Sequence, residues 1–165
     1  MGYPSFRQIG PIGLIGLDTA IWRGPIRAAG RVDNAQRQRF EGLLNGACAD
    51  LRPVVAMHHP PFELLDSNLK HYLSGLQGYK KVLSLLEGRN AIVLHGHIHV
   101  RTDVTINDTR IVGVSSASNN TAKEGKTLSY HTVEIDRDGG VDIQATSYID
   151  ADDRFETTSL NAGQG

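Results

Sequence analysis

Two short apolar runs, Val54–Met57 and Ala91–Leu94, each end at a group of histidines, and this limits how the chain can fold more than any other feature. Pro53 opens the first run, and His58, His59, Pro60 and Pro61 close it, because proline has no amide donor with which to continue a strand ladder. The second run passes directly into His95, Gly96, His97, Ile98 and His99. Both runs have strand length and both follow segments with helical spacing, so helix and strand alternate and the histidines collect at strand ends. In open α/β sheets such ends are where ligand-binding groups gather.

The neighbouring segments support this pattern. Ile9–Leu17 is a glycine-broken apolar run that predicts one buried strand. Asp33 suits a helix N-cap with Gln36 three positions on, as in a capping box, and Phe40, Leu43, Leu44 and Ala47 then share a helical face. A second helix carries Tyr79, Val82, Leu83 and Leu86 and ends at Gly88. Beyond the histidines the pattern turns mostly to strand, at Val104–Ile106, Arg110–Val114, Ser129–Ile135 and Val141–Tyr148, with a hairpin turn at Asp138-Gly139-Gly140. Phe62–Gly78 is expected to pack on the sheet as a helical hairpin, with a lid beside the histidines as the alternative. Residues 1–156 read as a single partial domain and 157–165 as a loose tail.

Composition removes several classes of function. The 17 Lys and Arg residues nearly balance the 18 Asp and Glu residues, and neither sign forms a block, so bulk charge does not indicate nucleic-acid binding. Cys48 is the only cysteine among 165 residues, which excludes an internal disulfide and any cysteine-rich zinc module; a metal site would have to be built from histidine. No signal-peptide pattern opens the chain, and no apolar run approaches the roughly 18 residues of a membrane span, so a soluble, cytoplasmic protein is expected.

Five of the seven histidines lie in the two segments. In an extended backbone His97 and His99 point the same way, with Ile98 turned into packing, so these two side chains can approach one centre. Gly96 is expected to mark a sharp turn, which leaves the direction of His95 open. His58 and His59 occupy adjacent positions and face opposite ways, so one can reach the site while the other supports it. His71 and His131 have no partner at ligand spacing and are read as structural or exposed. Cys48 is read as packing, Trp22 and Arg23 as a surface contact, and Ser115, Ser116, Ser118 and Asn119 as a polar loop.

HHPP after VVAM, then GHIH after AIVL, resembles the last two motifs of the calcineurin-like metallophosphoesterases, and GLIGLDTA with GRVDNAQRQRFEGLL resembles the stretch before HHPP in bacterial phosphodiesterase-type members. The resemblance covers roughly residues 9 to 135. It implies the C-terminal portion of a four-layer α/β/β/α sandwich, with mixed sheets and flanking helices. It also implies metal-dependent hydrolysis of a phosphoester small molecule at a pair of manganese, iron or zinc ions about 3.5–4 Å apart. His58 and His97 would bind one ion and His99 the other, while His59, His95 and Gly96 would support the site or touch substrate. The family's earlier motifs, D-x-H, G-D-x-x-D and G-N-H-D or G-N-H-E, do not occur, so the bridging carboxylate and the leaving-group histidine are missing and no catalytic residue is assigned. The chain is therefore expected to be a piece of a longer product. Alternatives are a half-protein whose activity has been lost or is completed by another chain, and a module that binds a metal or partner without turnover; exposed sheet edges would also invite a homodimer.

Overall fold

The structure, a computed structural model, describes residues 2–20, 28–63, 74–117, 128–138 and 140–160. Strands β1 (Ser5–Ile9), β2 (Ile12–Gly16), β4 (Arg52–Ala56), β6 (Ile92–His95), β7 (Thr102–Ile106) and β8 (Thr109–Gly113) form a six-stranded sheet in the order β1-β2-β4-β6-β8-β7. The four central strands run parallel, and the two edge strands pair antiparallel to their neighbours. β9 (Ser129–Ile135), β10 (Val141–Ile149) and β11 (Arg154–Ser159) make a three-stranded antiparallel sheet. A two-residue parallel ladder joins β3 (Gly30–Arg31) to β5 (Leu76–Gln77). Helices α1 (Asn34–Asn45) and α2 (Tyr79–Leu86) follow β3 and β5.

The strand registers place Ile15, Val55, Val93 and Ile111 side by side across the four parallel strands, and each is fully buried. β-Branched side chains suit this row because they pack well on a pleated surface. Phe40 and Leu44 from α1, and Val82 and Leu86 from α2, close over the row as one core. On the opposite face Leu94 and Val112 meet His131 and Val133 of the three-stranded sheet across a crevice. Parallel strands are thus covered on both faces, which is why VVAM and AIVL are continuously apolar instead of alternating. The architecture is α/β, with one mixed sheet, a smaller antiparallel sheet and flanking helices. Among the described residues no helix is long and apolar enough to cross a membrane.

Three details differ from the sequence expectation. Ile9–Leu17 is not one strand: Gly10 takes φ +54°, Pro11 has no amide donor, and Ile9 pairs with Ile12 across a tight hairpin. Asp33 caps α1 by accepting from the Gln36 amide at 2.7 Å, but the Gln36 side chain does not close the box. It is buried and clamps the Asp18 backbone instead, donating to the carbonyl and accepting from the amide, both at 2.8 Å. Thr157–Ser159, expected in a loose tail, pair with Thr146–Gln144 at the end of β11, where Phe155, Thr157 and Thr158 are residue types that suit a strand. At the β9–β10 turn Asp136 accepts from the amides of Asp138 and Gly140, while Gly139 lies outside the described residues.

Phe40 is fully buried at the centre of the core. Phe40→Ala is expected to cost about 3–5 kcal/mol, measured by chemical denaturation, with the parent slope retained.

Candidate metal centre

Parallel neighbours β4 and β6 end at the same edge of the sheet, and backbone pairing continues past both: the Met57 amide donates to the Leu94 carbonyl at 3.0 Å and the Gly96 amide to the His58 carbonyl at 3.1 Å. His58 and His97 are thereby brought together, with His58 Nε2 3.0 Å from His97 Nδ1. His59 joins them; one ring nitrogen from each of the three lies within 4.8 Å of the others.

The backbone carrying His97 and His99 is not extended. β6 ends at His95, and His97 and His99 take φ +66° and +54°. The Ile98 amide donates to the Gly96 carbonyl at 2.8 Å, so the turn falls on His97 and not on Gly96, where an added Cβ would meet only ordinary contact with His58 at 3.9 Å. Alternation along a strand therefore does not govern this segment: Ile98 is only half-buried, and His99 is exposed and outside the cluster of three. Left-handed conformations at two non-glycine residues cost on the order of 1 kcal/mol or more each, and such costs concentrate at binding sites.

His59 is buried, and both its ring nitrogens are committed. Nε2 donates to the Ala28 carbonyl at 2.8 Å, which leaves Nδ1 to accept from the Thr19 hydroxyl at 2.9 Å. The same hydroxyl oxygen accepts from the His59 amide at 3.3 Å. Its ring lies against Gly30, where any Cβ would overlap it. His95 is held similarly, between the Gly96 carbonyl and the Thr102 hydroxyl, each at 3.1 Å. Register sets His95, Gly113 and Thr102 in line across β6, β8 and β7, so the imidazole reaches Thr102 over the space that Gly113 leaves. Thr19, Thr102, Gly30 and Gly113 carry no chemistry of their own, and sequence reasoning missed them. Thr19 in GLIGLDTA, Gly30 in GRVDNAQRQRFEGLL and Gly113 in the expected strand Arg110–Val114 stood in segments already singled out, but without a role.

Burial is the leading cause that lowers the pKa of all four histidines. His97 moves furthest, down to about 4, through desolvation first and then the adjacent His59 and His58; a hydrogen bond to the Ser74 backbone opposes the shift. His58 is lowered by burial and by His99, so His99 acts on the cluster from outside it. The rings are consequently neutral near pH 7, the form in which imidazole ligates a metal. Two nitrogens 3.0 Å apart, each at about 2.0–2.1 Å from one ion, subtend roughly 90–95° there, which a six-coordinate ion accepts more readily than tetrahedral zinc. The described residues thus fit one transition-metal ion at His58 and His97. No carboxylate among them joins the cluster to offset a second.

Other predicted features are structural. Cys48 is buried against Gly13, with burial raising its thiol pKa. His131 is half-buried on the inner face of β9, and its Nε2 has no hydrogen-bond partner. Ser115 bonds Ser129 at 2.8 Å. Phe62 packs edge-on to His95, and Leu76 is buried in β5. The remainder of the expected helical hairpin between them, with His71, falls at residues 64–73, outside the described residues, as do Trp22, Arg23, Ser118 and Asn119.

No family model matches the chain, and no curated protein matches it significantly. Among solved structures, GAP50, the anchor in the inner membrane complex of Plasmodium, superposes with a TM-score of 0.57 at 13% identity, over 98% of this chain. The chain spans about half, 54%, of that protein's length. Wild-type Vps29 complexed with Zn2+ from Entamoeba histolytica gives 0.37 at 12% identity, covering 90% of this chain and 99% of that one. A Streptococcus pneumoniae protein described as a predicted phosphoesterase gives 0.36 at 13%, covering 89% and 97%. The likeness to GAP50 is one of fold. It defines the chain as an α/β protein of that architecture; the histidine cluster that could hold a metal is read from the chain's own geometry.

Two outcomes follow from the site's geometry. Below pH 6.5 the unfolded chain takes up a proton at His97 that the folded chain refuses down to about pH 4, so this contribution to stability is complete above pH 6.5 and drains away towards pH 4. The melting temperature is expected to fall over that window, and to fall less steeply in His97→Asn. Gly113→Ala, which drives a methyl group into His95 and Thr102, is expected to lose about 1–3 kcal/mol by overpacking, as read from denaturant midpoints.

Proposed function

We propose that this chain supplies the histidine side of a metal-dependent phosphoester-hydrolysing centre of the calcineurin-like type. The observation that carries the proposal is the 3.0 Å approach of His58 and His97 from the ends of adjacent parallel strands. The order and spacing of HHPP and GHIH at the ends of those strands support it. His58 and His97 hold one ion, drawn from manganese, iron or zinc, and the second ion is assigned to His99 on the motif alone, since His99 is exposed and lies outside the cluster. His59 and His95, each bonded at both nitrogens, fix the two segments that carry the ligands. A bound ion of this kind polarises a phosphoryl oxygen and lowers the pKa of water. The side chains contribute neutral nitrogens already at the ligand spacing, with His97 kept deprotonated by burial. Carboxylates for the second ion come from outside these residues, from another part of a longer product or from a second chain. The substrate is a phosphoester small molecule, and the free, buried Cys48 agrees with a cytoplasmic setting.

The all-imidazole cluster favours one further reading, a module that binds a single ion without turnover. Calorimetric titration with Mn2+ and with Zn2+ is expected to give about one site per chain, weakened at least tenfold by His58→Ala and by His97→Ala. Unchanged affinity in both variants rejects the centre. Hydrolysis of a generic bis-phosphoester with Mn2+ then separates the two readings: a rate above that of His97→Ala marks an enzyme, and no such rate marks the module.

A further inference from the structure

Arg31, Arg37 and Lys81 line one cavity of about 320 Å³ with Asn34, Gln77 and Gly78, beside β3, β5 and the first turns of α1 and α2. We infer that this cavity is a separate binding site for a small multiply charged oxyanion of the phosphate type. The chain carries a net charge of −1, yet this one concavity gathers three cations and no acidic residue among its lining. Among the described residues none of the three cations makes a salt bridge. Like charges brought together without a counter-ion repel, and nothing in the packing requires them here: Arg31 and Lys81 are exposed and Arg37 is half-buried.

The cavity is also shaped for an anion. Gly78, at φ +77°, opens α2 with no side chain to cap its first turn, so one helix N-terminus adds its positive end to the three side chains, while that of α1 is capped by Asp33. The volume lies at the low end of small-molecule sites, roughly 300–1,000 Å³, which suits a compact di- or triphosphate group better than an extended polymer. The guanidinium groups offer the bidentate donor geometry that phosphoryl oxygens accept. Histidine does not line this cavity, so the inference stands apart from the proposed metal centre.

The test uses the full chain in EDTA, with inorganic pyrophosphate as probe against sodium chloride at matched ionic strength. Saturable binding by calorimetry is expected, with a rise in melting temperature. Arg37→Gln with Lys81→Gln is expected to weaken binding at least tenfold while melting no lower than the parent without anion, because repulsion is relieved. Lys81→Gln alone, at an exposed position, gives a milder loss and covers the case in which the double variant fails to fold. Binding in His97→Ala equal to the parent places the anion away from the histidines. Absence of saturable binding above the chloride control, retention of parent affinity in the charge variants, or loss of binding in His97→Ala overturns the site.

Discussion

Parallel pairing of β4 with β6 is the constraint on which the rest depends. It aligns Val55 with Val93 in the buried row that α1 and α2 cover, and by the same register it ends both strands at one edge. A one-residue slip of either strand would turn its valine, Val55 or Val93, to the opposite face and separate His58 from His97. The core and the candidate centre are therefore one structural commitment: apolar burial fixes the register, and the register fixes the distance between two imidazoles. Backbone bonds from Met57 to Leu94 and from Gly96 to His58 carry that commitment two residues beyond the strands, to the histidines themselves.

Glycine supplies the space in which the supporting imidazoles lie. Gly30 and Gly113 each face a histidine ring at a distance no Cβ could tolerate, and each ring then reaches a threonine hydroxyl, Thr19 for His59 and Thr102 for His95. Pairing a vacant Cα with a small hydroxyl lets a large ring lie flat over the sheet edge with both nitrogens bonded. A buried imidazole without such partners would bear the desolvation cost of an unsatisfied polar group, about 1–3 kcal/mol. The ladder between β3 and β5 serves both sides of the centre, since Gly30 in β3 backs His59 and Ser74, two residues before β5, bonds His97.

The sequence made much of this legible where local chemistry and tertiary demand agree. Asp33 caps a helix wherever that helix packs, and Ser129–Ile135 forms the strand expected from its alternation. It also brought the right histidines into view, because a strand that stops at HHPP or GHIH must deliver them to an edge. Facts set by more distant partners were not legible. The rotation of His97 and His99 into positive φ overrides strand alternation, since the segment has left β6 and its backbone answers to Gly96 and its own turn. Gln36 looked like half of a capping box and instead bonds Asp18, 18 positions earlier, a choice no local pattern encodes. The threonine and glycine partners of His59 and His95 are likewise set by register between strands that the sequence does not pair.

The electrostatic state of the centre follows from this packing. Burial and mutual proximity keep the imidazoles neutral, and His97, lowered to about 4, lies well below the pKa of an exposed histidine. The 3.0 Å hydrogen bond between His58 Nε2 and His97 Nδ1 takes a proton on one of the two facing nitrogens, and an ion held by both would require that proton to sit elsewhere. That hydrogen bond is modest, roughly 0.5–1.5 kcal/mol net, small beside the binding energy of two imidazole nitrogens at a transition metal. The left-handed turn at His97 and His99 holds the backbone ready in advance, so the ordering that an extended segment would undergo on binding has already occurred during folding. Affinity at this site is then limited by charge, since neutral nitrogens bind an ion without offsetting its positive charge, and by how many further donors approach it from outside the cluster.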